Sequence, residues 1–379
     1  MSPYHMILLL LLAGTVVEHI QKRTSKVYFA VSFLVLSGFL CFRFGQGTDY
    51  FGYAYIYHGL PANPLQAVHT DWLHSEIGWK ILCACFRALG VSFPVFVMIL
   101  SVCMLILFFR FLQKFGGKRK MLALLICYHT LYLTYFFSVL RQGIVAAVFL
   151  GILLPWLLRR DYVKYYIISA VLISIHSVSA VLLILPLLQG VQLKYKQLIG
   201  LVVLGFLLGV ACYAVDVGVL LAKVLPIVYL GESDLSVVAL LERIGTFLVV
   251  AFCYYVYLEG QEPDQADGFC KLFKIYALGM FLYNLLMWSP LISSRLCYLF
   301  KLVEIILICG CIVRCKKSQT IVLVYCVALC SVVYLKNISS YIQQANYQNA
   351  SVVNYPYVSV FNWTDILNYR TDTIDYPFP

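Results

Sequence analysis

Tyr135-Phe-Phe-Ser138-Val-Leu-Arg141-Gln142-Gly143-Ile-Val-Ala-Ala-Val148 places an arginine and a glutamine between two long apolar runs. An arginine at hydrocarbon depth is costly and normally faces a protein interior or a watery cavity. The plainer reading is a side chain snorkelling to a membrane edge. Its guanidinium also suits phosphate, which it grips through a planar, bidentate fork. The flanking runs decide the fold. The 379 residues are 62% hydrophobic and only 12% charged, more apolar surface than a soluble core absorbs. In lipid every backbone N–H and C=O needs an internal partner, so the spans must be helical. A β-barrel is excluded because the runs are continuous rather than alternating. The expected class is all-α: a polytopic integral membrane bundle of about 10–12 transmembrane segments, with an outer-face loop carrying an interfacial helix.

Working outward, apolar runs place spans near 4–20, 27–44, 91–112, 121–137, 141–158, 165–189, 198–222, 243–258, 272–288, 291–313 and 320–335. The net charge of +11 sits largely in short clusters: Gln21-Lys-Arg-Thr-Ser-Lys26, Lys114-Phe-Gly-Gly-Lys-Arg-Lys120, Arg159-Arg-Asp-Tyr-Val-Lys164 and Arg314-Cys-Lys-Lys317. Basic clusters mark the inner face, so the charge reflects topology and not nucleic-acid binding. The N-terminus, the loop 45–90, the 137–141 junction, the 289–295 turn and the tail then lie outside. The first apolar segment reads as a retained anchor, having no basic flank before it and no small-residue cleavage site after it. Residues 76–90 are amphipathic and short, which predicts a helix lying on the outer surface. Residues 165–189 have basic flanks at both ends and are too short for two full spans. They form either a bent pair of short helices with His176 near the bend, or a single span that breaks the charge rule. One membrane domain is expected over 1–335, with an outer-face tail over 336–379.

Several polar residues carry candidate chemistry. Arg43-Phe-Gly-Gln-Gly47-Thr48-Asp49-Tyr50-Phe-Gly-Tyr53 opens the outer loop. Asp49 there is a partner for Arg43 in an ion pair, or a base near a sugar hydroxyl; the plain reading is a pair that stitches the loop down. Glu76 begins the surface helix, where a carboxylate favours the helix N-terminus electrostatically; the alternative is a general base. His176, among Ser174, Ser177 and Ser179, is either a packing residue satisfied by serines or a functional group costly to keep in a membrane. Arg295 lies in Ser289-Pro-Leu-Ile-Ser-Ser-Arg295-Leu-Cys-Tyr298, and Arg243 follows Glu242. Arginines converging from such positions make an anion site suited to a diphosphate. Lys301 and Glu304, three apart on one helix, are expected to pair with each other. The 14 cysteines show no CxxC knuckles, and no histidine or carboxylate completes a metal set beside the CxC pairs at Cys83–Cys85 and Cys309–Cys311. Glycine-rich phosphate loops and nucleophile elbows are missing from the sequence.

Taken in order, Arg43…Gly47-Thr48-Asp49-Tyr50…Tyr53, Ser75-Glu76-Ile-Gly-Trp79, Ser138-Val-Leu-Arg141-Gln142-Gly, Ile175-His176-Ser-Val-Ser-Ala180 and Ser294-Arg295-Leu-Cys-Tyr298 resemble the EpsG family. These are the Wzy-like polymerases of bacterial exopolysaccharide and capsule. The tail resembles the family only around Tyr355-Pro-Tyr-Val-Ser359. The resemblance implies a multi-pass protein of the bacterial cytoplasmic (inner) membrane, acting at its outer face. The donor is an oligosaccharide on undecaprenyl diphosphate, and the acceptor is a sugar hydroxyl of another lipid-linked unit. The product is exopolysaccharide, capsule or O-antigen. Arg141 and Arg295, with Gln142 beside the first and Arg43 supporting, are expected to stabilise the leaving diphosphate. The base is His176, or Glu76 or Asp49 if the histidine is structural. No metal and no cofactor is required where arginines neutralise the leaving group. Membrane lipid and other polysaccharide assembly proteins are the expected partners, nucleic acid is not. The competing class is a flippase or exporter that moves the same lipid-linked sugar without breaking a bond. Such transporters often carry paired broken helices, and only 165–189 shows a break.

Overall fold

Helices form along the apolar runs, and several stop at glycine, proline or a basic cluster, while others break inside a run, at Val139, His176 and Leu302. The computed structural model describes residues 2–73, 75–222, 237–259, 267–315, 317–345 and 347–370. Lys316 of the last basic cluster and residues 371–379 of the tail fall outside that set. In chain order the helices are α1 (Pro3–Gln21), α2 (Lys26–Cys41), α3 (Tyr50–Gly59), α4 (Pro64–Val68), α5 (Ile77–Ala88) and α6 (Phe93–Phe115). Next come α7 (Lys120–Ser138), α8 (Leu140–Arg159), α9 (Tyr162–Ile175) and α10 (Ser177–Gln189). The remainder are α11 (Tyr195–Ala214), α12 (Val217–Ala222), α13 (Val237–Glu259), α14 (Asp267–Leu285), α15 (Pro290–Lys301), α16 (Val303–Cys311) and α17 (Gln319–Gln344). Among the described residues there is no strand, only isolated bridges at Arg43–Ser359 and Tyr347–Arg370. Among the described residues seven helices (α1, α6, α7, α8, α11, α13 and α17) are long and apolar enough to cross a membrane, and α2, α9 and α10 are shorter apolar helices. The chain is an all-α, multi-pass membrane protein.

Two compact units divide it: residues 1–154 with 170–177 and 324–379, and residues 155–169 with 178–323. In the first unit α7 is the central helix, and every residue from Met121 to Leu133 is buried. α1 packs on α7, and α6 packs on both α2 and α8. The second half of α7, Tyr128–Ser138, is wound as a π-helix, a geometry often found beside functional sites. The chain then reverses at Val139, whose backbone is not helical. The reversal is tight: a Cβ on Gly143 would lie 2.6 Å from the Tyr135 carbonyl oxygen. So α7 and α8 form the helical hairpin expected around 137–141.

The loop 45–90 holds α3, α4 and α5. On α5, Trp79, Cys83 and Ala84 are buried while Ile77 and Ile81 are exposed, the two-sided pattern expected for that stretch. Of the two readings of 165–189, the structure shows the bent pair. α9 ends at Ile175, and the Tyr165 hydroxyl donates to the Leu182 carbonyl at 2.9 Å. Those residues are 17 apart, so the chain has folded back on itself. α9 has 14 residues and runs about 21 Å at the usual helical rise, short of a hydrocarbon core of about 30 Å.

In the second unit α11 lies against α14. Gly205 and Gly209, four apart, allow this contact: a Cβ at Gly205 would meet the Phe281 carbonyl oxygen at 2.7 Å, and one at Gly209 the Asn284 carbonyl oxygen within 2 Å. Small residues at that spacing let membrane helices approach closely. Lys301 pairs with Glu242 of α13 at 2.7 Å and not with Glu304, whose carboxylate accepts from the Tyr276 hydroxyl at 3.4 Å. Lys301 closes α15 and Glu304 lies on α16, so the two do not share one helix, and Lys301 reaches Glu242 on α13 instead.

Candidate functional site

The loop 43–49 is built to grip the tip of the α7–α8 hairpin. Gly47 has φ +87°, and a Cβ there would fall 2.8 Å from the Phe137 carbonyl oxygen, so only glycine lets the backbone in. Beside it the Thr48 N–H donates to Ser138 Oγ at 2.9 Å, and the two hydroxyls lie 2.6 Å apart. Arg43 is 1% exposed. Its guanidinium donates to the Leu40 carbonyl, to Ser101 Oγ at 2.9 Å and to the Phe136 carbonyl at 3.1 Å. It also lies over the Phe137 ring, at 5.2 Å. Arg43 therefore ties the ends of α2 and α7 to the interior of α6. Asp49 does not pair with it among the described residues; its carboxylate accepts from the Thr48 hydroxyl at 2.7 Å. Burial explains the difference, because backbone carbonyls satisfy a desolvated guanidinium without bringing a second charge out of water.

A carboxylate organises the second cluster. Glu76 precedes α5 with extended backbone, but its side chain makes no capping bond to that helix. It turns away and forms an ion pair with Arg141 in the first turn of α8. Its other oxygen lies 3.2 Å from His176 Nδ1 and accepts from the Ser177 N–H at 3.0 Å and the Ser177 hydroxyl at 3.2 Å. The expected helix-terminus role gives way to these partners, drawn from positions 65 to 101 residues away. Burial alone would raise the Glu76 carboxyl, but the hydrogen bond from His176, the Ser177 N–H and the Arg141 guanidinium outweigh it and hold it at about 2. The three side chains stay partly accessible: Arg141 is 21% exposed, Glu76 20% and His176 10%.

Neighbouring residues fix the cluster in place. The interruption at His176 presents its ring and the Ser177 N–H at the turn of the α9–α10 hairpin, and the His176 N–H closes α9 on the Leu172 carbonyl at 2.8 Å. α5 packs so closely on that turn that a Cβ at Gly78 would meet Ser174 backbone atoms at 2.8 Å. Trp79, fully buried, lies 5.5 Å from the Tyr53 ring. Arg141 sits 5.7 Å above the same Tyr53 ring, with Ser75 Oγ at 3.5 Å. Burial pushes the Tyr53 phenol up to about 12, although Arg141 pulls against it. The phenol therefore stays protonated near neutral pH. Ser75-Glu76-Ile-Gly78-Trp79 thus reads as carboxylate, close approach and anchor.

Arg141, Glu76 and His176 are brought together. Gln142 is buried one residue further along α8. Asp49 borders the group, since its backbone carbonyl accepts from the Tyr53 N–H at 3.0 Å. Arg295, half-buried on α15, belongs to the second unit, as does Arg243, whose guanidinium lies 4.8 Å above the Tyr283 ring. The sequence carried no sign of Arg370. It is 2% exposed and donates to the Gly45 carbonyl at 3.0 Å and the Gly47 carbonyl at 2.7 Å, so the tail pins the loop that holds the hairpin tip.

Neither a comparison with curated proteins nor one with solved structures gives a match. The EpsG family model matches residues 26–357, a range that contains the loop at 43–49, Glu76, Arg141, His176 and Arg295. With most of its length matched, this multi-pass membrane protein belongs to the EpsG family and, through it, to exopolysaccharide production.

Proposed function

We propose that the chain is a Wzy-like polymerase: it joins undecaprenyl-diphosphate-linked oligosaccharide repeat units at the outer face of the bacterial cytoplasmic membrane. The carrying observation is that Glu76 holds Arg141 with one oxygen and His176 with the other. A carboxylate only accepts hydrogen bonds, so Nδ1 of His176 carries the proton and, in the neutral ring, Nε2 keeps its lone pair. In the proposed step the acceptor hydroxyl attacks the anomeric carbon of the donor and its proton passes to Nε2. The bond from that carbon to the diphosphate oxygen breaks, and the diphosphate leaves with the electron pair. Arg141 is the fork for the charge that develops there. Glu76 is the positioning residue, since a carboxylate held at about 2 is too weak a base for a sugar hydroxyl. Asp49 already accepts a hydroxyl from Thr48, and Arg43 serves as scaffold. Arg295 stays a diphosphate ligand to be tested by its own variant. The reading requires no metal, so activity should survive a chelator.

The test is the full chain in proteoliposomes supplied with a lipid-linked repeat unit, resolved by gel. A ladder of longer chains is expected from wild type and none from His176→Gln. Translocation of the lipid by wild type with no ladder overturns the polymerase in favour of a flippase.

A further inference from the structure

We infer that the end of the α2–α6 pair nearest Lys26 and Lys118 binds the headgroup of an anionic phospholipid, with an acyl chain lying along a phenylalanine wall. A groove of about 620 Å³ lies between these helices, walled by Phe29, Phe33 and Phe109 and rimmed by Lys26, Lys118 and Lys120. The wall is continuous: the Phe33 and Phe109 rings meet edge-on at 5.2 Å, and Phe29 stacks on Phe33 at 6.2 Å. The rim is built rather than loose. The Lys120 N–H donates to Thr24 Oγ1 at 3.1 Å, and the Lys120 ammonium lies 5.7 Å from the centre of the Phe29 ring.

Charge names the occupant. The stretches 21–26 and 114–120 together hold seven Lys and Arg and no acid. The acid that packs nearby, Glu18, is 1% exposed, and its carboxylate is taken up by the Thr24 hydroxyl and the N–H groups of Met121 and Leu122. The rim lysines Lys26, Lys118 and Lys120 make no ion pair among the described residues, so the rim presents net positive charge at the end of an apolar groove. Positive clusters assign this end to the inner leaflet, where anionic lipids concentrate. A zwitterionic headgroup would bring its own cation against the lysines; a phosphate with a neutral substituent would not. The site lies among α2, α6 and the start of α7, and does not depend on the polymerase reading.

Native mass spectrometry of the full chain, released from detergent with equal dioleoyl phosphatidylglycerol and dioleoyl phosphatidylcholine, tests the site. Retained phosphatidylglycerol is expected to exceed phosphatidylcholine. In the Lys26→Gln and Lys118→Gln variants that preference should fall about five-fold per lysine, as expected for about 1 kcal/mol each. Ala30→Trp fills the groove without touching a charge and should abolish the preference. Equal retention of the two lipids by wild type overturns the inference, as does an unchanged preference in these variants. Displacement of phosphatidylglycerol by an equal concentration of inorganic phosphate also overturns it, assigning the rim to a free anion.

Discussion

Arg43 grips the tip of the α7–α8 hairpin and Arg141 belongs to it, and each donates to a serine, but their other acceptors differ. Arg43 gives its protons to two carbonyls and a serine and is 1% exposed. Arg141 gives its protons to a carboxylate that also holds a histidine, and keeps 21% of its side chain accessible. A carbonyl cannot be exchanged for substrate without breaking the helix end it belongs to. A side-chain carboxylate can be shared: in the proposed reaction the diphosphate competes for the same fork. Acceptor type therefore separates an arginine that holds the fold from one available to chemistry, where the sequence offered two similar arginines at a membrane edge.

The largest effect expected on the Arg141 side is at His176. Replacing it by glutamine keeps a polar side chain near Glu76 while removing the imidazole, and should lower polymerisation about a thousand-fold, within the usual span for a lost general base. Thermal unfolding should hardly move. Arg141→Lys should follow, with a loss of about a hundred-fold, since a point charge replaces the fork. Near-wild-type ladders from that variant would reduce Arg141 to an anchor and erase its difference from Arg43.

Arg43→Met tests the other side of the comparison. It strips the donor from the Leu40 and Phe136 carbonyls and from Ser101, all buried. Unsatisfied buried acceptors should cost about 3 kcal/mol in all, read as a lower unfolding midpoint and a lower yield of folded protein. If the midpoint stayed put and only polymerisation vanished, Arg43 would belong with Arg141 after all.

The helical spans were legible because apolar runs and basic clusters are local signals, and the outer-loop helix showed in its two-sided pattern. The hairpin at 165–189 was half legible: charge on both flanks demanded an even number of crossings, but the return shows in the structure, in the Tyr165–Leu182 and Tyr166–Leu183 bonds. Glu76 was readable as a carboxylate at a helix start and not as the hub of Arg141 and His176, since its partners are 65 and 100 residues away. Arg370 was illegible for the same reason, 323 residues from the glycine carbonyl that it bonds. The Lys301–Glu304 expectation failed because the helix breaks at Leu302 between them, and a break and a rival acid on another helix are both invisible to local spacing.

Gly78→Ala sharpens the comparison from the scaffold that carries Glu76. The added methyl would meet Ser174, 2.2 Å from its hydroxyl and 2.8 Å from its carbonyl. The hydroxyl can rotate away but the backbone cannot, so α5 or the turn at His176 must move, at a cost of about 1–3 kcal/mol. Polymerisation should fall with it, because the shift separates Glu76 from His176. Unchanged activity in a measurably destabilised Gly78→Ala would show that the dyad tolerates displacement, which a positioning role for Glu76 does not allow.

The smallest effect is a dependence on pH. Glu76 ionises at about 2 in the folded protein, against an ordinary value of 4.5. A depressed carboxyl contributes stability that is fully present above the unfolded value and is lost as pH falls through the folded one. The wild-type unfolding midpoint should therefore decline between about pH 4.5 and about pH 2 more steeply than that of Glu76→Gln, which has nothing to titrate there. Partial exposure of the side chain keeps this difference small, and comparison with the variant removes the contribution of other carboxyls. Parallel curves would mean that Arg141 and His176 do not hold the Glu76 carboxylate. Arg141 would then lack the shared acceptor that sets it apart from Arg43.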